Sequence, residues 1–382
     1  MKIFLNAIYG QIFLNAYIIR RGYMALPPKR MFRAPFILFF VFELLLYFTG
    51  FLFYKDLPDS ILHFIMLICN TWYVASFYIA FGLLLLDLIR LSNRIHRWYP
   101  TVITTNWSKI KLSLFLFFIL TVTGLMILGY HHAVYPIVRH VHIHIQKEVE
   151  GRDSLTIVLM SDLHIGEFIG KKNVQRFVEL SNAQYPDLIV IAGDIMDYES
   201  RKAEKQRIEE DFQQLNAPLG VYMVLGNHEY RANRLAKLSW LAKTGGVLLV
   251  DSVAMPDSTF YLIGRDDSKN RKRASLKTLI QGLDLTKPMI VLEHPPTAWE
   301  TIYNKCDLGL FGHTHNGQYW PISYYINYTS KVSYGYSMKK KSHIYVSSGI
   351  GFAGPPYRIG TRSELVVLHV TFGSKGTQMT RI

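Results

Sequence analysis

Five short apolar runs in the second half of the chain stop at side chains able to hold a metal ion. Leu155–Met160 leads to Asp162 and His164. Asp187–Ala192 leads to Gly193 and Asp194, with Asp197 three residues on. Val221–Leu225 leads to Gly226-Asn227-His228-Glu229, Pro288–Leu292 to Glu293-His294, and Asp307–Phe311 to Gly312-His313-Thr314-His315. Carboxylates, imidazoles and an amide, without a thiolate, suit working ions such as manganese, iron or zinc better than a structural zinc clip. The donors outnumber what one tetrahedral ion can use, so two divalent ions sharing a bridging carboxylate are the economical reading. Such a pair, about 3.5–4 Å apart, would clamp a phosphoryl group and deprotonate a water. One phrase of this kind arises by chance or as a satisfied structural pair; five in series do not.

Something must bring them together. Asp162 and His164 stand two apart, and on an extended segment such residues point the same way. They are therefore expected to leave one strand end side by side. From Ser154 the short β-branched runs alternate with helical segments such as Asn173–Asn182 and Ala232–Thr244, the pattern of an α/β domain. Ligands gather at the strand ends of such sheets. The recurrent glycines let the backbone turn sharply beside an ion.

The ordered set Asp162-x-His164, Gly193-Asp194, Gly226-Asn227-His228-Glu229, His294 and Gly312-His313-x-His315 resembles the calcineurin-like metallophosphoesterase superfamily. The phrases Ser161–Gly166, Leu225–Tyr230, Gly312–Gln318, Gly264–Asp267, Gly349–Gly351 and Pro356–Arg358 are similar to its membrane-associated YkuE/YaeI-like branch. The resemblance spans residues 155 to about 370 and implies a four-layer αββα sandwich around a dinuclear centre. Carried over by motif, one ion would be held by Asp162, His164, Asp194 and His315. The other would share Asp194 and add Asn227, His294 and His313. Family chemistry implies a bridging hydroxide as nucleophile, with His228 stabilising the transition state or protonating the leaving oxygen. Asp197 or Glu229 would tune His228, unless they are surface or capping residues. Arg358 is open between a phosphate contact and a structural salt bridge. Two departures, Glu293 where a glycine is common and Asn316 in place of a glycine, remove no ligand.

The first third of the chain differs in kind. Half of all residues are hydrophobic, and the apolar excess lies before about residue 135. Spans are expected near 35–54, 61–88 and 112–129, with a marginal one at 3–19 interrupted by Asn6, Gln11 and Asn15. The expected domains are thus a membrane region at 1–134 with three to four transmembrane helices, a stalk at 135–153, and the phosphoesterase domain at 154–382. Glu43 inside the second span reads as a group paired within the bundle rather than as a proton or ligand site. Over half of the net charge of +14 falls in residues 1–150, and the basic loops 20–33 and 89–111 both belong on the cytoplasmic side. That places the domain outside the cytoplasm, in a plasma or inner membrane. The stalk carries His140, His142 and His144, which alternate along an interfacial or edge strand or, less simply, bind metal. The basic run Lys269–Lys277 reads as a solvated loop. Cys69 and Cys306 define no disulfide framework.

The expected function is a membrane-anchored phosphohydrolase using two divalent ions, among membrane lipids and acting on a lipid-linked or cell-envelope phosphoester. A nucleic-acid substrate is not expected, because basic and aromatic residues do not interleave as strand binding requires. The alternatives are a catalytically silent membrane sensor or scaffold, and a UDP-diacylglucosamine-type pyrophosphatase should the domain face the cytoplasm.

Overall fold

The computed structural model describes residues 2–53, 56–296, 306–330 and 332–373; the ends of the expected 35–54 span and 154–382 domain lie outside these residues. The chain divides into two units, residues 1–129 with 354–356, and 130–353 with 357–382.

The first unit is helical: α1 (Lys2–Ala25), α2 (Arg30–Leu52), α3 (Asp59–His96), α4 (Thr101–Thr105) and α5 (Trp107–Val134), the last running on into the second unit. Three of them, α2, α3 and α5, are long and apolar enough to cross a membrane. At 1.5 Å per residue the 38 residues of α3 reach about 57 Å, well past a hydrocarbon core of about 30 Å. Helix α1 is longer than the expected 3–19 and carries polar side chains into the bundle. Gln11 Nε2 donates to Asn15 Oδ1 at 2.9 Å and Ser76 Oγ at 3.2 Å, Asn15 Nδ2 donates to Glu43 Oε2 at 2.9 Å, and Trp72 Nε1 donates to Asn15 Oδ1 at 2.9 Å. Glu43 is thus paired inside the bundle. Further along, Tyr17 and Arg21 of α1 both meet Asp87 of α3.

The second unit holds two six-stranded sheets. The first has the order β1 (Ile137–Ile145), β12 (Glu364–Phe372), β2 (Ser154–Met160), β3 (Leu188–Ala192), β4 (Val221–Val224), β5 (Val247–Leu248). The second runs β10 (Gly335–Lys339), β11 (Ser342–Val346), β9 (Leu308–Phe311), β8 (Met289–Leu292), β7 (Tyr261–Gly264), β6 (Ser252–Ala254). Strand alternation sorts the apolar residues into layers. Leu155, Ile157 and Leu159 of β2 and Leu188 and Val190 of β3 face an inner core shared with Leu262, Ile290, Leu292 and Leu310 of the other sheet. Their neighbours Val158, Met160, Ile189 and Ile191 face outward, against α6 (Lys171–Asn182), α8 (Ile208–Phe212) and α9 (Arg234–Leu241), with α7 (Arg201–Lys205) adding Ala203. On the far side, Ile263, Val291 and Phe311 form a third cluster with Leu276 of the short helix α10 (Leu276–Leu279). Helix, sheet, sheet and helix follow in that order, as expected.

Within the segment 135–153, expected as a stalk on an interfacial or edge strand, residues 137–145 form β1, hydrogen-bonded in parallel along the whole of β12 at the edge of the first sheet. Ile143 and Ile145, 2% exposed each, are buried between the sheets, which is why the strand is drawn into the domain.

Candidate metal centre

The metal-capable residues follow the ends of β2, β3 and β4 in one sheet and β8 and β9 in the other. Asp162 and His164 do converge, but not by strand alternation. Strand β2 ends at Met160, and both residues adopt left-handed backbone, φ 53° and 52°. The two loops are instead zipped together: Asp162 N–H donates to Gly193 O and His164 N–H to Asp194 O, each at 3.0 Å. Asp194, His313 and His315 are left-handed as well, at φ 50°, 77° and 50°. Residues with a Cβ adopt this conformation at a cost of order 1–3 kcal/mol, and such positions cluster at functional sites. Gly226 must be glycine for a steric reason, since a Cβ there would collide with the Asp194 carboxylate. Asn316, standing where a glycine was expected, has φ 49°, which asparagine tolerates better than most residues.

The side chains form adjoining clusters. Asp162, His164 and His315 make one: the His164 and His315 Nε2 atoms are 3.0 Å apart, and His315 Nε2 is 3.3 Å from Asp162 Oδ1. Asp194, His294 and His313 make another, with His294 Nε2 3.1 Å from both Asp194 Oδ2 and His313 Nδ1. A third grouping of His164, Asp194 and His228 joins them, so Asp194 is common to both halves. Six of the seven residues expected as ligands are thereby brought together. The seventh, Asn227, is 6% exposed, and its Oδ1 has no hydrogen-bond partner among the described residues. A buried amide oxygen without a partner is costly, and a cation is the partner it fits. The donor set and this orphaned oxygen suit two divalent ions.

The electrostatics of the metal-free site divide its imidazoles. Burial works against a charged His294, but Asp194 and its hydrogen bond push the ring up to about 10. Burial and the nearby His164 and Arg358 charges push His315 far down, into the neutral form that ligates. His294 is oriented by Ala192 O, 2.7 Å from its Nδ1, which leaves Nε2 directed at Asp194.

The two residues expected to tune His228 separate. Asp197 Oδ1 lies 2.9 Å from His228 Nδ1 and 3.1 Å from His164 Nδ1. Burial opposes its charge, but those two imidazoles hold the carboxyl well below its usual range. Glu229 does not reach His228. Its carboxylate accepts the backbone N–H groups of Gly226 at 2.7 Å, Met196 at 2.9 Å and Asp194 at 3.0 Å, and so ties the β3 and β4 loops together. Burial and the Asp194 charge raise it to about 7 against those donors. Arg358 makes no salt bridge among the described residues. It is fully buried and donates to Ser348 O at 2.6 Å, Gly351 O at 2.7 Å and His315 O at 3.1 Å, with His315 Nδ1 also 3.1 Å away. It therefore positions His315. Glu293 is buried between Arg265 and Arg273, with contacts of 2.7 and 2.6 Å, which anchors the otherwise largely exposed basic run.

Sequence reasoning missed two cations. Arg231 Nη1 stands 2.7 Å from His228 Nε2. A guanidinium can only donate, so Nε2 must accept and Nδ1 carries the proton; Nδ1 lies close to Asp197 Oδ1 but off the line of a hydrogen bond. Its place three residues after His228 was a usable signal. Lys237, fully buried, donates to His228 O at 2.6 Å and also to Asp197 O. No signal marked it, because a lysine on a short amphipathic helix ordinarily faces water.

Residues 155–317, which carry this constellation, match the family described as calcineurin-like phosphoesterase. The chain is 28% identical to a transmembrane protein with a metallophosphoesterase domain from Danio rerio, a match covering 95% of this chain and 87% of that protein. It is also 28% identical to the metallophosphoesterase YkuE of Bacillus subtilis, over 57% of this chain and 79% of the relative. The relative F40B5.2 of Caenorhabditis elegans is 29% identical over 69% of this chain, which spans 57% of that longer protein. Among solved structures, a dimetal phosphatase from Danio rerio covers 58% of the chain with a TM-score of 0.38 and 13% identity.

Proposed function

We propose that the protein is a multi-pass membrane phosphohydrolase that uses two divalent ions on a lipid-linked or cell-envelope phosphoester, with its catalytic domain outside the cytoplasm. The observation that carries the reading is Asp194, shared between two clusters of imidazole and carboxylate donors. Asp162, His164, Asp194 and His315 would hold one ion, and Asp194, Asn227, His294 and His313 the other. When bound, the pair supplies positive charge for a phosphoryl group and lowers the pKa of water.

The chain's own residues handle the rest. Asp197 stands beside the ring of His228, whose Nε2 points at Arg231 and lies 3.9 Å from Asp194 Oδ2. An incoming phosphate competes for Arg231, since a guanidinium binds phosphate oxygens in a fork. Release of Arg231 frees His228 Nε2 to take and pass on a proton at the leaving oxygen. The siting rests on the basic loops of the helical unit and on the apolar helices α2, α3 and α5.

The test is hydrolysis of p-nitrophenyl phosphate and bis-p-nitrophenyl phosphate by the full-length protein in detergent, with manganese, zinc or iron. Activity lost to chelation and restored by the ion is expected; no hydrolysis with any of these ions would sink the proposal. Protease added to intact cells should trim the domain, and protection would place it in the cytoplasm.

A further inference from the structure

The loop that carries His313 and His315 runs on into α11 (Ile322–Thr329), a helix that buries none of its residues. Its sequence, Ile-Ser-Tyr-Tyr-Ile-Asn-Tyr-Thr, holds no charge. Tyr324, Tyr325 and Tyr328 fall on one face of such a helix, and they are 67%, 67% and 90% exposed. The other face is pinned to the ligand loop. A Cβ at Gly317 would collide with the backbone of Ser323, and Ser333 Oγ donates to Asn327 Oδ1 at 2.5 Å. Thr314, between the two histidines, donates in turn to Ser333 O at 2.6 Å. Surface helices ordinarily turn charged residues to water. This one turns out three aromatic rings, next to the metal centre.

The strand registers show which end of the sheet this is. The apolar helix α5 ends within the second unit at Val134, where Ser363 N–H donates to His132 O at 3.0 Å. Strand β1 then begins with Ile137 opposite Glu364, and Val366 stands between Arg139 of β1 and Leu159 of β2. Helix α5 therefore delivers the chain to the end of the first sheet where β2 stops and the ligand loops begin. A bilayer crossed by α5, which is long and apolar enough to do so, meets the domain at that end. We propose that α11 docks on the bilayer interface, with its three tyrosines among the lipid headgroups, and so holds the metal centre at the membrane surface. Tyrosine suits that layer, having an apolar ring and a hydroxyl that stays wet. Without charge, the face takes zwitterionic lipid as readily as anionic lipid. Docking does not depend on hydrolysis; its consequence, a preference for phosphoesters embedded in the bilayer, rests on the function proposed above.

The test uses the full-length protein in phosphatidylcholine nanodiscs, with a thiol-reactive fluorophore at Tyr328→Cys or, as control, at Tyr185→Cys. Tyr185 is 89% exposed but precedes β3, at the opposite end of the strands. Cys69 and Cys306 are buried, and the unaltered protein gives their labelling background. Nitroxide-bearing lipid should quench the probe at 328 and leave the probe at 185 bright, in low and high salt alike. No quenching at 328, equal quenching at both positions, or quenching only in low salt would overturn the proposal, whether or not the protein hydrolyses phosphoesters. Where phosphatidic acid in the discs is hydrolysed, the Tyr324→Ser/Tyr325→Ser/Tyr328→Ser protein should lose about tenfold or more in kcat/KM for it. The same protein should change by less than about twofold toward soluble p-nitrophenyl phosphate, since only interfacial binding scales with the apolar area lost. Equal losses on the two substrates would count against docking, and the single variant Tyr328→Ser serves if the triple one does not fold.

Discussion

Each unit buries a cluster of polar side chains, and the two clusters are built on opposite terms. In the helical unit, Gln11, Asn15, Glu43, Ser76 and Trp72 meet through hydrogen bonds of 2.9 to 3.2 Å on regular helical backbone. In the second unit, Asp162, His164, Asp194, His313 and His315 all sit at positive φ, imidazole nitrogens face each other at about 3 Å, and Asn227 Oδ1 has no partner. The first arrangement pairs most of its polar groups on unstrained helices, leaving Glu43 Oε1 without a partner among the described residues, and fastens α1 to α2 and α3. The second stays costly until cations fill it. Backbone strain and imidazole nitrogens held face to face, rather than burial, charge or one unpartnered oxygen, separate a working site from a packing solution.

Breaking the second cluster should have the largest effect. Asp194→Asn removes the carboxylate common to both halves, so kcat should fall by about a thousandfold or more, with bound metal reduced. Turnover near that of the unaltered protein would undo the contrast between the clusters. Arg231→Ala should raise KM for a phosphoester about tenfold or more, the worth of a hydrogen bond to a charged group. It should also alter the pH profile of kcat, since Arg231 bonds to His228 Nε2 in the resting site; an unchanged KM would assign it to structure alone.

The contrast sharpens on removing metal. His294 is raised from 6.5 to about 10 by Asp194, despite burial. A group whose folded value is raised contributes stability that is complete below its unfolded value and is lost as pH rises through the folded one. Metal-free protein should therefore lose stability between about pH 6.5 and 10, and His294→Asn should flatten that part of a denaturation series. Metal loading should release protons over the same window, which calorimetry in buffers of differing ionisation enthalpy can count. The smallest effect belongs to the first cluster. Glu43→Gln keeps an acceptor for Asn15, so hydrolysis should stay within about twofold and stability within about 1 kcal/mol, as for interhelical hydrogen bonds generally. A large loss of activity would make Glu43 a functional group.

Much of the centre was legible because its ligands lie in short phrases at the ends of apolar runs, where local sequence and chemistry coincide. The apolar Leu155–Met160 and Asp187–Ala192 runs likewise announced the strands, while the layers came from the family resemblance. The residues that hold the site were less visible. Arg358 and Lys237 are buried cations whose acceptors are backbone carbonyls, most of them seven to ten residues away, so no partner side chain announced them. The His140–His144 strand was readable as a strand. Its place in the sheet depended on β12, more than 200 residues further along.

By itself, the sequence determined which atoms are available: carboxylates, imidazoles and an amide in a fixed order, plus helices apolar enough for a membrane. Only the tertiary structure decided that Glu229 braces two loops while Asp197 stands beside His228, and that Arg231 caps its free nitrogen. Those roles turn on contacts of about 3 Å between loops of different strands, and their geometry is set by left-handed backbone turns rather than by the two-residue period of a strand.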